Sequence, residues 1–272
     1  MMALSFGSHS VVTGGTFTQV TNNNDFHERR QSPWDRLQSA VAPAAFHNSA
    51  ERFDSPRCHP NTRVAVMNEL RDLALRWGDA GHARILWLNG PAGAGKSAIA
   101  QTFCEECFAT HYLLASFFFN RSDSTRNAAG SFVATLTYQI YGTVPAYHRT
   151  LILSVIANDP LVFERSIDAQ FKALIIDPLQ DLFRAGYFIN TTAPQLIVID
   201  GLDECSGVPI QVSILESLEN ISTQPDSPFV FLVTSRPEHE IEMFFRRARI
   251  GNSLHQLVLD ESYFPDADIK FF

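Results

Sequence analysis

Gly90-Pro91-Ala92-Gly93-Ala94-Gly95-Lys96-Ser97 satisfies the pattern G-x-x-x-x-G-K-[ST] at every fixed position. Each residue type answers a physical need of polyphosphate. Glycines let the backbone turn tightly and aim several N–H groups at one anion. Lys96 would set a mobile ammonium against the β- and γ-phosphates. The Ser97 hydroxyl would be an oxygen ligand for Mg²⁺. Arg84-Ile85-Leu86-Trp87-Leu88-Asn89 reads as a buried strand running into the loop. Ser97 to Ala109, with Ala98 in its first turn, reads as a helix whose N-terminus faces the phosphates and favours negative charge. At an average glycine usage of about 7%, a chance match in a chain this long has odds of about one in a hundred.

Working outward, Leu196-Ile197-Val198-Ile199-Asp200 is an apolar strand tipped with a carboxylate. Asp200 is placed to help hold Mg²⁺, through a water. Gly201 leaves room beside the phosphates. Asp203 and Glu204 follow, and either could orient or deprotonate an attacking water; the sequence does not choose between them. Thr234-Ser235-Arg236-Pro237 follows the next strand, Phe229 to Val233, and the Arg236 fork suits a γ-phosphate. Leu113 to Phe119 is a further strand, ending at Asn120-Arg121, and Leu254 to Leu259 a last short one. Helices are expected over 62–77, 128–141, 146–186 in two or three pieces broken at Asn158-Asp159-Pro160 and Asp177-Pro178, 208–220 and 238–248. Short apolar strands alternating with helices argue for a parallel sheet covered on both faces. In such sheets ligands bind beyond the carboxyl ends of the strands, which is where every chemistry-bearing residue named above falls.

These three motifs resemble those of NACHT-domain NTPases, within the STAND class of signal-transducing ATPases that includes NOD-like receptors. The small residue after Asp200 and the acidic pair beyond it are the more specific marks. The lead-in Ser49-Ala50-Glu51-Arg52-Phe53-Asp54-Ser55-Pro56-Arg57-Cys58-His59-Pro60-Asn61-Thr62-Arg63 is similar to that of many fungal NACHT proteins, as is Phe117-Phe118-Phe119-Asn120-Arg121. The resemblance covers roughly 49–272. It implies a P-loop NTPase of the α/β class with a five-stranded parallel sheet in the order 5-1-4-3-2. It also implies ATP or GTP with Mg²⁺ as cofactors and slow hydrolysis used as a switch. Relatives continue into helical and winged-helix segments, whereas this sequence stops at Phe272. That difference keeps a second class of function in play: a nucleotide-binding module or decoy that associates with full-length relatives without hydrolysing. Self-association is the matching expectation for the leading reading. A nucleoside kinase would need an arginine-rich lid, and residues 142–194 hold only Arg149, Arg165 and Arg184.

Composition narrows the classes further. The chain has 272 residues, 45% of them apolar, and a net charge of −8. An acidic chain has no general attraction for nucleic acid or anionic membrane. No apolar run has the length of a membrane span, and the N-terminus lacks the order of an export signal. Four cysteines make no disulfide framework, so a cytoplasmic setting with reduced thiols is expected. Residues 1–60, rich in Ser, Thr, Asn, Gly and Pro, read as a mostly irregular arm. Within it Ser8 to Val20 could hold a short strand and Trp34 to Phe46 a short helix. The NTPase domain is expected over 61–272. Cys104 and Cys107 share a helix face, but zinc would need two more ligands, and small core residues are the simpler reading. Cys205 reads as a buried thiol, and Trp77 and Trp87 as core. Ser235 lacks the His and acid of a triad. Thr62-Arg63 and Arg121 are candidates to face the nucleotide.

Overall fold

The computed structural model describes residues 4–5, 11–12, 31–59, 62–75, 84–187, 195–224, 227–247 and 254–259. The chain divides between Gln31 and Ser32. In the first unit β1 (Leu4–Ser5) and β2 (Val11–Val12) form an antiparallel pair; the rest of the Ser8–Val20 stretch lies outside the described residues.

The second unit begins well before the expected boundary near residue 60. Its first helix, α1 (Pro33–Ala40), starts at a capping box: Ser32 Oγ accepts from Asp35 N–H, and the Asp35 carboxylate accepts from Ser32 N–H. Leu37, Ala42 and Ala45 are sealed in the main core, and Ala42 N–H donates to Thr135 Oγ1 at 3.0 Å. The segment 32–59 is therefore packed structure rather than an irregular arm. The helix falls largely in the stretch Trp34 to Phe46 where a short one is expected, with Leu37 buried and Trp34 and Ala40 partly buried against the core.

The remaining elements run α2 (Val64–Leu75), β3 (Ile85–Asn89), α3 (Lys96–Ala109), β4 (Leu113–Phe118), α4 (Phe132–Thr143), α5 (Ala146–Asn158), α6 (Ile167–Phe171), α7 (Asp177–Arg184), β5 (Leu196–Asp200), α8 (Val208–Ser222), β6 (Val230–Ser235), α9 (His239–Arg247) and β7 (Leu254–Val258). Trp77 lies outside the described residues. Asp177-Pro178 does not break the helix as expected. A π-helical turn, Lys172–Ile176, joins α6 to α7, and the wider turn accommodates the N–H that Pro178 lacks.

The sheet is parallel with strand order β4-β5-β6-β3-β7. Numbered within the domain, that is the expected 5-1-4-3-2. Side chains alternate between its two faces. Trp87, Phe117, Ile197, Ile199, Phe231 and Val233 enter the larger core under α1, α4 and the following helices. Leu86, Leu88, Phe118, Val198 and Leu232 meet α2 and α3 on the other side. Trp87 stacks on Phe245 with ring centres 4.2 Å apart, and its Nε1–H donates to Ser235 Oγ at 2.9 Å. The edge strand β4 is closed by side chains. Gln139 accepts from Ser116 N–H and donates to Ser116 C=O, which removes one pairing site from an exposed edge. Four free cysteines remain, with Cys104, Cys107 and Cys205 buried; burial pushes the Cys107 thiol up to about 12. Among the described residues no group of His, Cys, Asp or Glu could hold a metal as a cluster of three, and no helix is long and apolar enough to cross a membrane.

Candidate functional site

Strand order places the site. β6 lies between β3 and β5, and the parallel register aligns Leu88 with Thr234 and Ile199 with Val233. The loop leaving β3, the acid ending β5 and the turn leaving β6 therefore open side by side at one end of the sheet. There they enclose a cavity of about 330 Å³, lined by Ala92, Gly93, Gly95, Lys96, Ser97 and Ala98, by Gly201, Asp203 and Glu204, by Thr234 and Arg236, and by Pro56 from the lead-in. The volume is at the small end of that seen for ligand pockets.

The loop is shaped by two left-handed glycines. Gly93 has φ +78° with nothing within 4 Å of where a Cβ would be, and Gly95 has φ +88° and starts α3. The cradle is therefore open at Gly93, and the first N–H groups of α3 face it. Lys96 Nζ folds back to donate to Gly90 C=O at 2.7 Å and Pro91 C=O at 2.9 Å. Burial lowers the Lys96 pKa, while the nearby carboxylates of Asp203, Asp200 and Glu204 oppose that shift. Gly90 and Ala94 are buried beneath the loop rather than in the cavity wall.

Asp200 sits behind Ser97. The residue is 3% exposed, its carboxylate accepts from Thr234 Oγ1 at 2.6 Å, and the Ser97 hydroxyl is close enough to favour its ionised form. Thr234 Oγ1 in turn accepts from Gly201 N–H, so one hydroxyl ties β6 to the turn after β5. Burial raises the Asp200 pKa; the Thr234 and Ser97 hydroxyls and the charge of Arg52 oppose it. A buried carboxylate against a serine hydroxyl is an all-oxygen donor pair that suits a hard divalent cation such as Mg²⁺, and the open cradle beside it suits phosphate.

Asp203 and Glu204 differ in what holds them. Asp203 is buried. Its Oδ1 accepts from Arg236 N–H at 3.0 Å and its Oδ2 is 3.3 Å from Arg236 Nε. Glu204 is half-buried and its Oε2 accepts from Arg121 N–H at 3.1 Å. The Arg121 guanidinium donates to Asp203 C=O and does not line the cavity. Arg63 Nη2 donates to Ala94 C=O at 3.1 Å, against the loop but outside the cavity lining, while Thr62 Oγ1 turns to His59 C=O. Three residues near the site lie within the stretches that carry the resemblance, which assigns them no role of their own. Thr234 opens the third motif and Pro56 belongs to the lead-in. Arg52, also of the lead-in, has its guanidinium 3.8 Å over Phe118 and donates to Gln101. Phe118 is the register partner of Asp200, so Arg52 shares that face of the sheet.

A phosphate loop after the interior strand β3, with an acid-tipped strand two places along in this sheet order, defines the P-loop NTPase class. The family described as Nephrocystin 3, N-terminal, matches residues 71–236, which is more than half of the chain and spans all three motifs. The chain belongs to that family. No curated protein shows significant sequence similarity to it. Among solved structures, that of Drosophila ORC bound to AT-rich DNA and Cdc6 is similar at 12% identity with a TM-score of 0.42, over 98% of this chain and 39% of that one.

Proposed function

We propose that this chain is a regulatory NTPase of the NACHT/STAND type that binds a Mg²⁺–nucleoside triphosphate, ATP or GTP, and hydrolyses it slowly as a switch. The observation that carries the reading is the single cavity in which Gly93, Lys96 and Ser97 meet Gly201, Asp203, Glu204 and Arg236, residues more than a hundred positions apart, with buried Asp200 behind Ser97. Ser97 would hold the metal directly and Asp200 through water. A Mg²⁺ ion held there would supply positive charge against that which builds on the phosphates during transfer. The amides of Gly93 to Ala98 would hold the polyphosphate. Lys96 would exchange its two carbonyl partners for phosphate oxygens, a trade of neutral acceptors for charged ones that favours binding.

Glu204, not Asp203, is the residue we assign to orienting the attacking water. Both Asp203 oxygens are engaged by Arg236, which fits Asp203 to holding Arg236 at the cavity wall. Arg236 would then meet the terminal phosphate without leaving its anchor. The NACHT/STAND assignment and a fungal NOD-like receptor kinship are supported by the motif spacing and lead-in, a cytoplasmic setting by the four free cysteines, and self-association by what that class does. We take the domain to begin at Ser32.

Calorimetric titration with ATP, GTP and ADP, with and without Mg²⁺, tests the reading. Wild type should bind in a Mg²⁺-dependent way, and Lys96→Ala should bind at least about a hundredfold more weakly, as expected for losing a charged contact to phosphate. Glu204→Gln should bind normally and release phosphate at least about a hundredfold more slowly, as for a lost general base. A wild-type protein that binds no nucleotide would end the proposal. Binding with no turnover would instead favour the non-hydrolysing module.

A further inference from the structure

We infer that Arg121 is a positioning residue for Glu204, and that the loop after β4 exists in this form to aim that carboxylate at the cavity. The inference rests on the hydrolytic reading above. Two loops that leave neighbouring strands are stitched together at three points. Arg121 N–H holds Glu204 Oε2 at 3.1 Å. Arg121 Nη2 holds Asp203 C=O at 3.1 Å. Ser206 N–H donates to Asn127 C=O at 2.6 Å, while Asn127 Nδ2 reaches back to Arg121 C=O. The main chain on both sides of Glu204 and one of its carboxylate oxygens are thus fixed to the same short segment.

That segment is itself rigid. Asp123 Oδ1 accepts from both the N–H and the hydroxyl of Thr125, and its Oδ2 pairs with Arg126 Nε at 2.6 Å. Arg126 is buried and donates to Ala44 C=O, so the loop is pinned to the packed lead-in. Asn120 N–H closes the turn on Arg126 C=O. A loop held this way cannot follow a wandering glutamate; the glutamate must follow the loop.

The contacts that Arg121 makes are exposed or half-buried, where such bonds add little to folding stability. Their effect is on position. A carboxylate displaced by an ångström from an attacking water loses much of its catalytic value even when nothing else changes. Arg121 itself does not line the cavity, so a role through Glu204 separates from a role in binding. Loss of the Arg121 side chain keeps the N–H on Glu204 Oε2 but takes the guanidinium off Asp203 C=O, the carbonyl of the peptide that leads into Glu204. The main chain that carries the carboxylate then loses this anchor, so kcat should fall while nucleotide affinity and melting temperature stay where they were.

The test uses the full chain as wild type, Arg121→Ala, Arg121→Lys, Glu204→Gln and the Arg121→Ala/Glu204→Gln double variant. Phosphate release, nucleotide affinity and melting temperature are measured for each. Arg121→Ala should turn over about tenfold more slowly with affinity unchanged, and Arg121→Lys should recover part of the loss. In the Glu204→Gln background Arg121→Ala should cost little more, because a residue that positions another has nothing left to position. Arg121→Ala turning over as fast as wild type or faster would overturn the inference. So would a weakened affinity, or a loss that multiplies with that of Glu204→Gln. A wild type that binds nucleotide and releases no phosphate defeats the hydrolytic reading itself, and this inference with it; normal wild-type turnover with an unaffected Arg121→Ala defeats this inference alone.

Discussion

Asp200 shows how one side chain can be poor for the ligand-free fold and suited to the site. Its carboxylate lies in the interior, accepting from the Thr234 hydroxyl with the Ser97 hydroxyl and the charge of Arg52 nearby, and burial still raises its pKa. For an acid, a folded-state pKa above the unfolded one means that folding disfavours the ionised form. The penalty is absent below the ordinary carboxylate range and appears as pH rises through the folded value. Asparagine keeps the shape and an oxygen for Thr234 Oγ1–H. We therefore expect Asp200→Asn, without ligand, to melt at or above the wild-type temperature at pH 8, with the gap closing towards pH 4. With Mg²⁺ and nucleotide the order should reverse, because the ligand stabilises wild type by mass action and the variant lacks the charge that attracts the cation. Thermal melts across pH, with and without Mg²⁺–ATP, would read both signs.

At the scale of elements, the loop after β3 depends on a neighbour outside the three motifs. A Cβ on Gly90 would lie 2.9 Å from Leu259 Cβ and 3.0 Å from Leu259 C=O, and Leu259 N–H is bonded to Asn89 C=O at 2.7 Å. The exit of β7 is thus seated on the entry of the phosphate loop. Gly90→Ala should force these apart, costing about 1–3 kcal/mol in stability, the range for overpacking a tight interior, and weakening nucleotide binding. Gly93→Ala should cost less, about 1–2 kcal/mol, the price of a left-handed φ alone, because no atom stands in its way. Chemical denaturation of both variants separates a steric from a backbone cause. The strands and the loop were legible in the sequence because runs such as Leu196–Ile199 are wholly apolar and end at glycine or acid, so periodicity and punctuation agree. What the sequence left open was decided by partners far away along the chain. Asp203 and Glu204 look alike until Arg236 and Arg121 each take one. Pro178 looks like a break until the preceding turn widens. The seat of Leu259 on Gly90 has no local signature at all.

At the scale of the whole second unit, the segment 32–59 is the part that sequence reading undervalued, and it links the core to the site. Leu37 and Ala45 are fully buried, and burial of one leucine contributes about 1.5–3 kcal/mol. Ala44 C=O accepts from buried Arg126, and leaving a buried charged donor without its acceptor costs about 1–3 kcal/mol or more. Further along, His47 C=O accepts from Gln101 and Cys58 N–H donates to Thr102, both on α3, while Pro56 lines the cavity. Set against a total stability of about 5–15 kcal/mol for a domain, these losses together are comparable with the whole. A chain begun at Thr62 should therefore be insoluble or melt at least about 10 °C below one begun at Ser32, taking a domain of this size to lose about 2–4 °C per kcal/mol. Any soluble fraction should also bind nucleotide more weakly, since the cavity wall at Pro56 and the clasp on α3 are gone. Equal melting temperatures and equal affinities for the two chains would mean that 32–59 is a passive lead-in, and that α3 and the loop after β4 hold their geometry unaided.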